Sequence, residues 1–298
     1  MANAGFQWFG MSDDGETVLL HKFGGEIPCP PHATPAWIDA QKAHIRRGAV
    51  IDTETTGLNP REHQVIEIAV RLFLYHRETG EVVQTTETYT GLQDPGQPLD
   101  ESIQKITGLT DADLAGQRID WGQVTALLSS ADLIIAHKAS FDRPFVEKGA
   151  PIAAQRNWAC SLEHIDWSSK GYPSQKLEIL ALYHGFFTKA HRALNDVNAL
   201  LYLLSLSDPK LGKPYLHELV RSAREPFIEI CAYRAHFDKK DLLKSRSYRW
   251  DPELRVWKKC LFKSGVEVEM KWLVEKVYLG EFLGQSREIP LLENFRSE

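Results

Sequence analysis

The sequence predicts an α/β protein. A mixed central sheet carries helices on both faces, with an N-terminal extension before it and a small α+β part after it. Two observations predict the sheet. Three strand-like runs succeed one another between residues 49 and 92, and helical stretches then alternate with a further apolar strand up to about residue 206. A third observation sets the C-terminal part off by charge. Residues 239–263 hold nine Lys or Arg against three acids, about +6, which leaves about −11 to the rest of a chain of net charge −5. That asymmetry suggests an acidic catalytic body with a basic appendage.

Taken in order, residues 1–46 read as an extension. FQWFGM, SDDGE and TVLLHKF read as strand, turn and strand, an N-terminal hairpin. GGEIPCPPHATP is rich in breakers, and Thr34 with Pro35 starts a helix over AWIDAQKAHIRR. Ala49, Val50 and Ile51 form a short buried strand that ends in Asp52 and Glu54. QVIEIAVRLFLYH is a second strand, and VVQTTETYTGL a third after the ETGEVV turn. Helices are expected over 102–109, 111–114 and WGQVTALLSS. ADLIIAH is another buried strand, and a long helix ends near residue 206.

At 298 residues with 43% hydrophobic residues, the chain is long enough for a real core. No apolar run reaches membrane-spanning length, and the first residues lack a signal-peptide layout. The four cysteines are far apart and form no C-x-x-C pair, so reduced thiols in a cytoplasmic protein are expected.

The acids carry the chemistry. On a strand, residues i and i+2 share a face, so Asp52 and Glu54 point the same way with Thr53 opposite. Two anions that close repel unless a cation lies between them, and a hard divalent cation prefers oxygen ligands. A D-x-E pair alone is also what a solvated strand end looks like. Ser140 reads as an N-cap, with Pro144 in the first helical turn and Asp142 at the helix start, where it could merely complement the dipole. In HRALNDVNALLYLL, Val197, Leu200, Leu201 and Leu204 recur at helical spacing. Asn195 is a possible N-cap, Asp196 lies in the first turn, and His191 precedes it by five residues.

Together these segments change the odds. DTETTGL, HKASFDRPF and HRALNDV occur in this order, with VIEIA and ITGLTDADL between them. The stretch from about 47 to 206, within an expected domain of residues 47–208, resembles the DEDDh exonucleases of the DnaQ-like family, which includes proofreading subunits and ribonuclease T. Lys138 stands where the family commonly has Asn. The resemblance implies a ribonuclease H-like fold whose first three strands are antiparallel. It also implies 3′–5′ removal of nucleoside monophosphates, with Asp52, Glu54, Asp142 and Asp196 binding two Mg²⁺ or Mn²⁺ ions, spaced about 3.5–4 Å apart for in-line displacement at phosphorus. His191 suits the general base, because imidazole titrates near neutrality. By the same resemblance, Thr55, Thr56, Gly57 and Leu58 hold the terminal nucleotide, and His137 belongs to the substrate pocket. Ile106 and Phe141 are open between substrate contact and core packing.

Residues 212–298 lie outside the resemblance. YRWD and RVWKK flank a turn and read as a hairpin, and MKWLVEKVYLG reads as a closing amphipathic helix. Arg246, Arg249, Lys258 and Lys259 are candidate phosphate contacts. Trp250 and Trp257 are candidate stacking surfaces, and Tyr248 lies among the same cations. A packing subdomain with core tryptophans and solvated cations is the other reading. The expected partner is a nucleic-acid 3′ end, DNA in preference to RNA, with no membrane. A polymerase or repair protein is a further expected partner, docking on the C-terminal part. RNA 3′-end trimming is the alternative activity, and an idle binding module is disfavoured by the intact acidic set.

Overall fold

The computed structural model describes residues 16–296. Among the described residues two compact units form, one of residues 16–223 with 295–296, the other of residues 224–294.

The first unit is built on strands β2 (Ile45–Thr55), β3 (Val65–His76) and β4 (Val82–Leu92), followed by β5 (Leu133–Ala136) and β6 (Trp158–Cys160). Their order in the sheet is β4-β3-β2-β5-β6. The first three are antiparallel neighbours, and β5 and β6 run parallel to β2. This is the mixed sheet the sequence predicts. Each face buries its own core because side chains alternate. Val50, Ala69 and Phe73 pack under helix α8 (Ala193–Ser205), against Ala193, Val197, Leu200 and Leu204. Ala49, Ile51, Ile68 and Val70 face the other way, against α4 (Trp121–Ser130) and α5 (Ala139–Gly149) through Val124, Leu128, Phe145 and Val146.

The remaining helices of this unit are α1 (Pro35–Ala40), α2 (Glu101–Thr107), α3 (Asp111–Leu114), α6 (Ser161–His164), α7 (Leu177–Tyr183) and α9 (Tyr215–Ser222). Tyr215, Leu216 and Leu219 of α9 are buried in the same core as α8, so the unit extends past residue 212 to 223.

Several expectations shift. Helix α1 stops at Ala40, and β2 begins at Ile45 rather than Ala49. The cause is the length of β3, which offers ladder partners as far as His76, opposite Ile45. The first arm of the expected N-terminal hairpin lies outside the described residues. In its second arm only β1 (His21–Lys22) is strand, and it pairs parallel with β7 (Phe186–Phe187). Phe23 anchors this pairing, since it stacks on Tyr202 with ring centroids 4.6 Å apart and meets Phe186 edge-on. Helix α5 starts at Ala139 because the Lys138 carbonyl already accepts the Phe141 N–H at 2.8 Å, so Ser140 is no cap and Pro144 falls in the second turn. Arg192, not Asn195, caps α8, its carbonyl accepting the Asn195 N–H at 2.8 Å.

The second unit holds β8 (Phe227–Cys231), α10 (Lys240–Ser245), β9 (Arg249–Asp251), β10 (Val256–Phe262), α11 (Lys263–Trp272) and β11 (Gln285–Glu288). Its four-stranded antiparallel sheet runs β11-β8-β10-β9, with β9 and β10 forming the expected hairpin. The expected closing helix begins earlier, at Lys263, and passes into a π-helical turn over Leu273–Tyr278 before β11 follows. No helix among the described residues is long and apolar enough to cross a membrane. The four cysteines form no disulfide.

Candidate active site

Asp52 and Glu54 stand on the even face of β2, the face that α8 covers. Asp196 lies in the first turn of α8. One carboxylate oxygen from each of the three comes within 4.8 Å of the others. The fourth acid arrives from the opposite side of the sheet, on α5. Asp142 is 3% exposed, and its Oδ1 accepts the Thr53 backbone N–H at 3.0 Å and the Thr53 hydroxyl at 2.9 Å. Thr53, which alternation turns away from the other acids, is therefore the residue that receives the α5 aspartate. The strand end thus supplies two acids, and the helices on its two faces supply one each.

The electrostatics show how crowded this is. Burial, with Asp142, Asp196 and Glu54 nearby, raises Asp52 well above the usual carboxylate range. Burial and then Asp196 push Glu54 to about 8. Burial pushes Asp142 to about 7 against the Thr53 hydrogen bonds, and pushes Asp196 to about 6 against the His191 N–H. Desolvated anions that repel one another hold their protons, and a cation among them would displace those protons. The donors are all carboxylate oxygens, which fits a hard divalent cation.

His191 is exposed and adopts φ of 60°, the left-handed region, rare for a residue with a side chain. Its backbone N–H donates to Asp196 Oδ2 at 2.8 Å. The bent backbone ties the residue before α8 to the acid inside it.

The turn after Glu54 is closed by its own side chains. Thr55 Oγ donates to the Gly57 carbonyl at 2.7 Å, and the Gln64 N–H donates to Thr56 Oγ at 3.2 Å. Thr56 Oγ also lies 3.3 Å from His63 Nδ1. A Cβ on Gly57 would lie 2.5 Å from that imidazole, so any other residue here would have to push the His63 ring aside. Leu58 and Ile106 are exposed, at 82% and 52%. Phe141 is half-buried on Phe145, with centroids 5.2 Å apart. His137 spends both ring nitrogens inside the fold, on Ser161 Oγ at 2.6 Å and the Gln175 carbonyl at 2.9 Å, and burial depresses it to about 4. Both ring nitrogens of His137 are therefore held by groups of the protein itself.

Sequence reading missed Thr53, His63, Glu67 and Arg192. Glu67 is 5% exposed, and its carboxylate takes a forked pair from Arg192, with Nη2 to Oε1 at 3.1 Å. VIEIA contains an acid in a buried strand, which was the available signal.

In the second unit, the folded structure changes the charge argument. Arg246 and Lys259 both donate to buried Glu269, at 3.1 and 2.9 Å. Lys258 lies 2.7 Å from Asp251 and 3.8 Å from Glu229. Three of the four candidate phosphate contacts are thus committed to carboxylates within their own unit. Residues 224–294 hold 14 Lys or Arg against 12 acids, close to balance. Tyr248 is buried, and Trp257 is half-buried against Trp250 at 5.5 Å. Arg249 and Trp250 stay exposed.

Comparison with known proteins adds relatives. DNA polymerase III PolC-type of Listeria monocytogenes is 29% identical over 166 residues, which cover 52% of this chain and 11% of that one. The protein of the same name from Lacticaseibacillus paracasei is 27% identical over 207 residues, covering 65% and 14%. The chain therefore spans between a tenth and a seventh of the length of these relatives. Among solved structures, Exonuclease X in complex with 5′ overhanging duplex DNA is 24% identical, covering 53% of this chain and 89% of that one at a TM-score of 0.39. Exonuclease I of E. coli, in complex with a dT13 oligonucleotide, is 16% identical, covering 83% and 64% at 0.49. A model of the exonuclease family matches residues 49–204, the stretch that holds all four acids and His191, and the chain belongs to that family.

Proposed function

We propose that the chain is a metal-dependent 3′–5′ exonuclease that trims DNA 3′ ends to nucleoside monophosphates. The convergence of Asp52, Glu54 and Asp196, with Asp142 entering from the other face, is the observation that carries this reading. Asp52, Glu54, Asp142 and Asp196 would hold two Mg²⁺ or Mn²⁺ ions, which would lower the pKa of a bound water and stabilise charge on the leaving 3′ oxygen. His191 accepts the proton of the attacking water, and its exposed position leaves the imidazole open to substrate and solvent. Backbone groups of the Thr55–Gly57 turn hold the terminal nucleotide, and exposed Leu58 and Ile106 rest on its base or sugar. His137, tied to Ser161 and the Gln175 carbonyl, braces the turn between β5 and α5. The names of the relatives support work in DNA replication or repair beside a polymerase, in the cytoplasm, where free cysteines stay reduced.

The test is a cleavage panel with Mn²⁺, using 5′-labelled and 3′-labelled single strands, duplexes and RNA. A ladder shortening from the 3′ end, on DNA and not on RNA, is expected. Cleavage that persists in excess EDTA, or internal cuts, would overturn the reading.

A further inference from the structure

Helix α8 lies on β3 through an almost wholly apolar face: Ala193, Val197, Leu200, Leu201 and Leu204 against Ala69 and Phe73. Apolar burial is non-directional, so such a face holds a helix down without fixing how far it slides along the strand. Asp196 rides on this helix and must meet Asp52 and Glu54, which ride on β2. A slide of one ångström would disturb that meeting.

Two polar links interrupt the apolar face. At one end, Arg192 forks onto buried Glu67, with Nε 3.2 Å from both oxygens, and the Ala193 N–H donates to Glu67 Oε2 at 3.3 Å. In the second turn of the helix, Arg71 Nη1 donates to Asn198 Oδ1 and, at 3.0 Å, to the Gly25 carbonyl. Glu67 and Arg71 occupy the same face of β3, four residues apart. Arg192 and Asn198 flank Asp196 and lie about 9 Å apart along the helix axis. Hydrogen bonds to charged groups are directional and short-ranged. A pair of them, one on each side of Asp196, fixes the axial register that the apolar face leaves loose.

We propose that Glu67–Arg192 and Arg71–Asn198 are pins that set the register of α8 on the sheet, making these four positioning residues for the Asp52–Glu54–Asp196 cluster. The proposal rests on the metal-binding reading of that cluster. It is separable from a plain charge effect, because Arg192 is a cation beside an acidic site. If only its charge mattered, its removal would tighten binding of a cation. As a pin, its removal weakens that binding.

The experiment titrates the full chain with Mn²⁺ alone, by calorimetry, and follows amide exchange in the first turn of α8 without metal. Arg192→Met is expected to weaken Mn²⁺ binding by about 10- to 100-fold, the usual scale for residues that orient metal ligands, and to speed exchange at Ala193 and Asp196. Arg192→Lys keeps the charge but loses the fork, and should fall between wild type and Arg192→Met. Arg71→Met should weaken Mn²⁺ in the same direction. If Arg192→Met does not fold, Arg192→Lys decides alone. Unchanged or tighter Mn²⁺ binding with unchanged exchange overturns the pins. Wild-type chain that takes up no Mn²⁺ overturns the metal reading instead, and the exchange measurement then decides the pins by itself.

Discussion

Glu54 and Glu67 are direct partners across the β2–β3 ladder, two acids face to face, and only one of them joins the acidic cluster. Like charges in such a pair repel. Arg192 resolves the conflict by gripping Glu67 at 3.1 Å, which leaves Glu54 to Asp52 and Asp196. The proximity still counts, since burial, Asp196 and Glu67 together hold Glu54 near 8.

Raised carboxylates make the metal-free chain pH-dependent in an unusual direction. Glu54, Asp142 and Asp196 sit at about 8, 7 and 6 in the folded state, against roughly 4 when unfolded. Over that interval the folded state binds more protons than the unfolded one, so stability falls as pH rises from about 4 to 8. In EDTA, Tm should drop between about pH 5.5 and 8. Because cation and protons compete, Mn²⁺ should raise Tm more at the higher pH. An equal Mn²⁺ shift at both pH values would contradict the clustering of these acids.

Asp142→Asn keeps an oxygen for the two Thr53 donors while losing the charge. Cleavage should become undetectable. Tm in EDTA should hold or rise, because one buried anion has gone. A parallel loss of Tm would make Asp142 a folding residue first.

His191→Ala should lower kcat by about 10²–10⁴, the scale of a lost general base, with Mn²⁺ affinity nearly unchanged. His191→Gly suits the φ of 60° better and should be the more stable of the two. Both variants should lose the same activity, because both lack the imidazole. A rate for either within about threefold of wild type would remove His191 from the proton transfer.

The hairpin of the second unit should divide by residue. Lys259→Ala leaves buried Glu269 with one cation fewer, and should cost roughly 1–3 kcal/mol in urea unfolding. Its log–log salt slope for long single strands should not move. Arg249→Ala, at an exposed site, should leave stability alone and flatten that slope by about one unit. If neither substitution changes strand binding, the hairpin is not part of a nucleic-acid track.

By itself the sequence determined the order of β2 to β5 with helices α2 to α5 and α8, but not β6, β7, α6, α7 or α9; strand alternation picked out Asp52 with Glu54, and the resemblance of their motifs picked out Asp142, Asp196 and His191. These are local properties. An apolar run, a strand-end acid pair and an i, i+3, i+4 stripe each declare themselves within a dozen residues. Strand alternation alone puts Asp52 and Glu54 on one face. What only the tertiary structure decided depends on pairs far apart in the chain. Whether β2 starts at Ile45 depends on how far β3 runs. That His21–Lys22 pairs with Phe186–Phe187 depends on where Phe23 finds an aromatic pocket. Thr53 receives Asp142 across 89 residues, and Glu67 grips Arg192 across 125. The charge of residues 239–263 was legible as a number. Its disposal was not, because Glu269, which takes up Arg246 and Lys259, lies outside that segment, and Lys258 meets Asp251 across the β9–β10 pair and Glu229 beyond the segment only when the sheet closes.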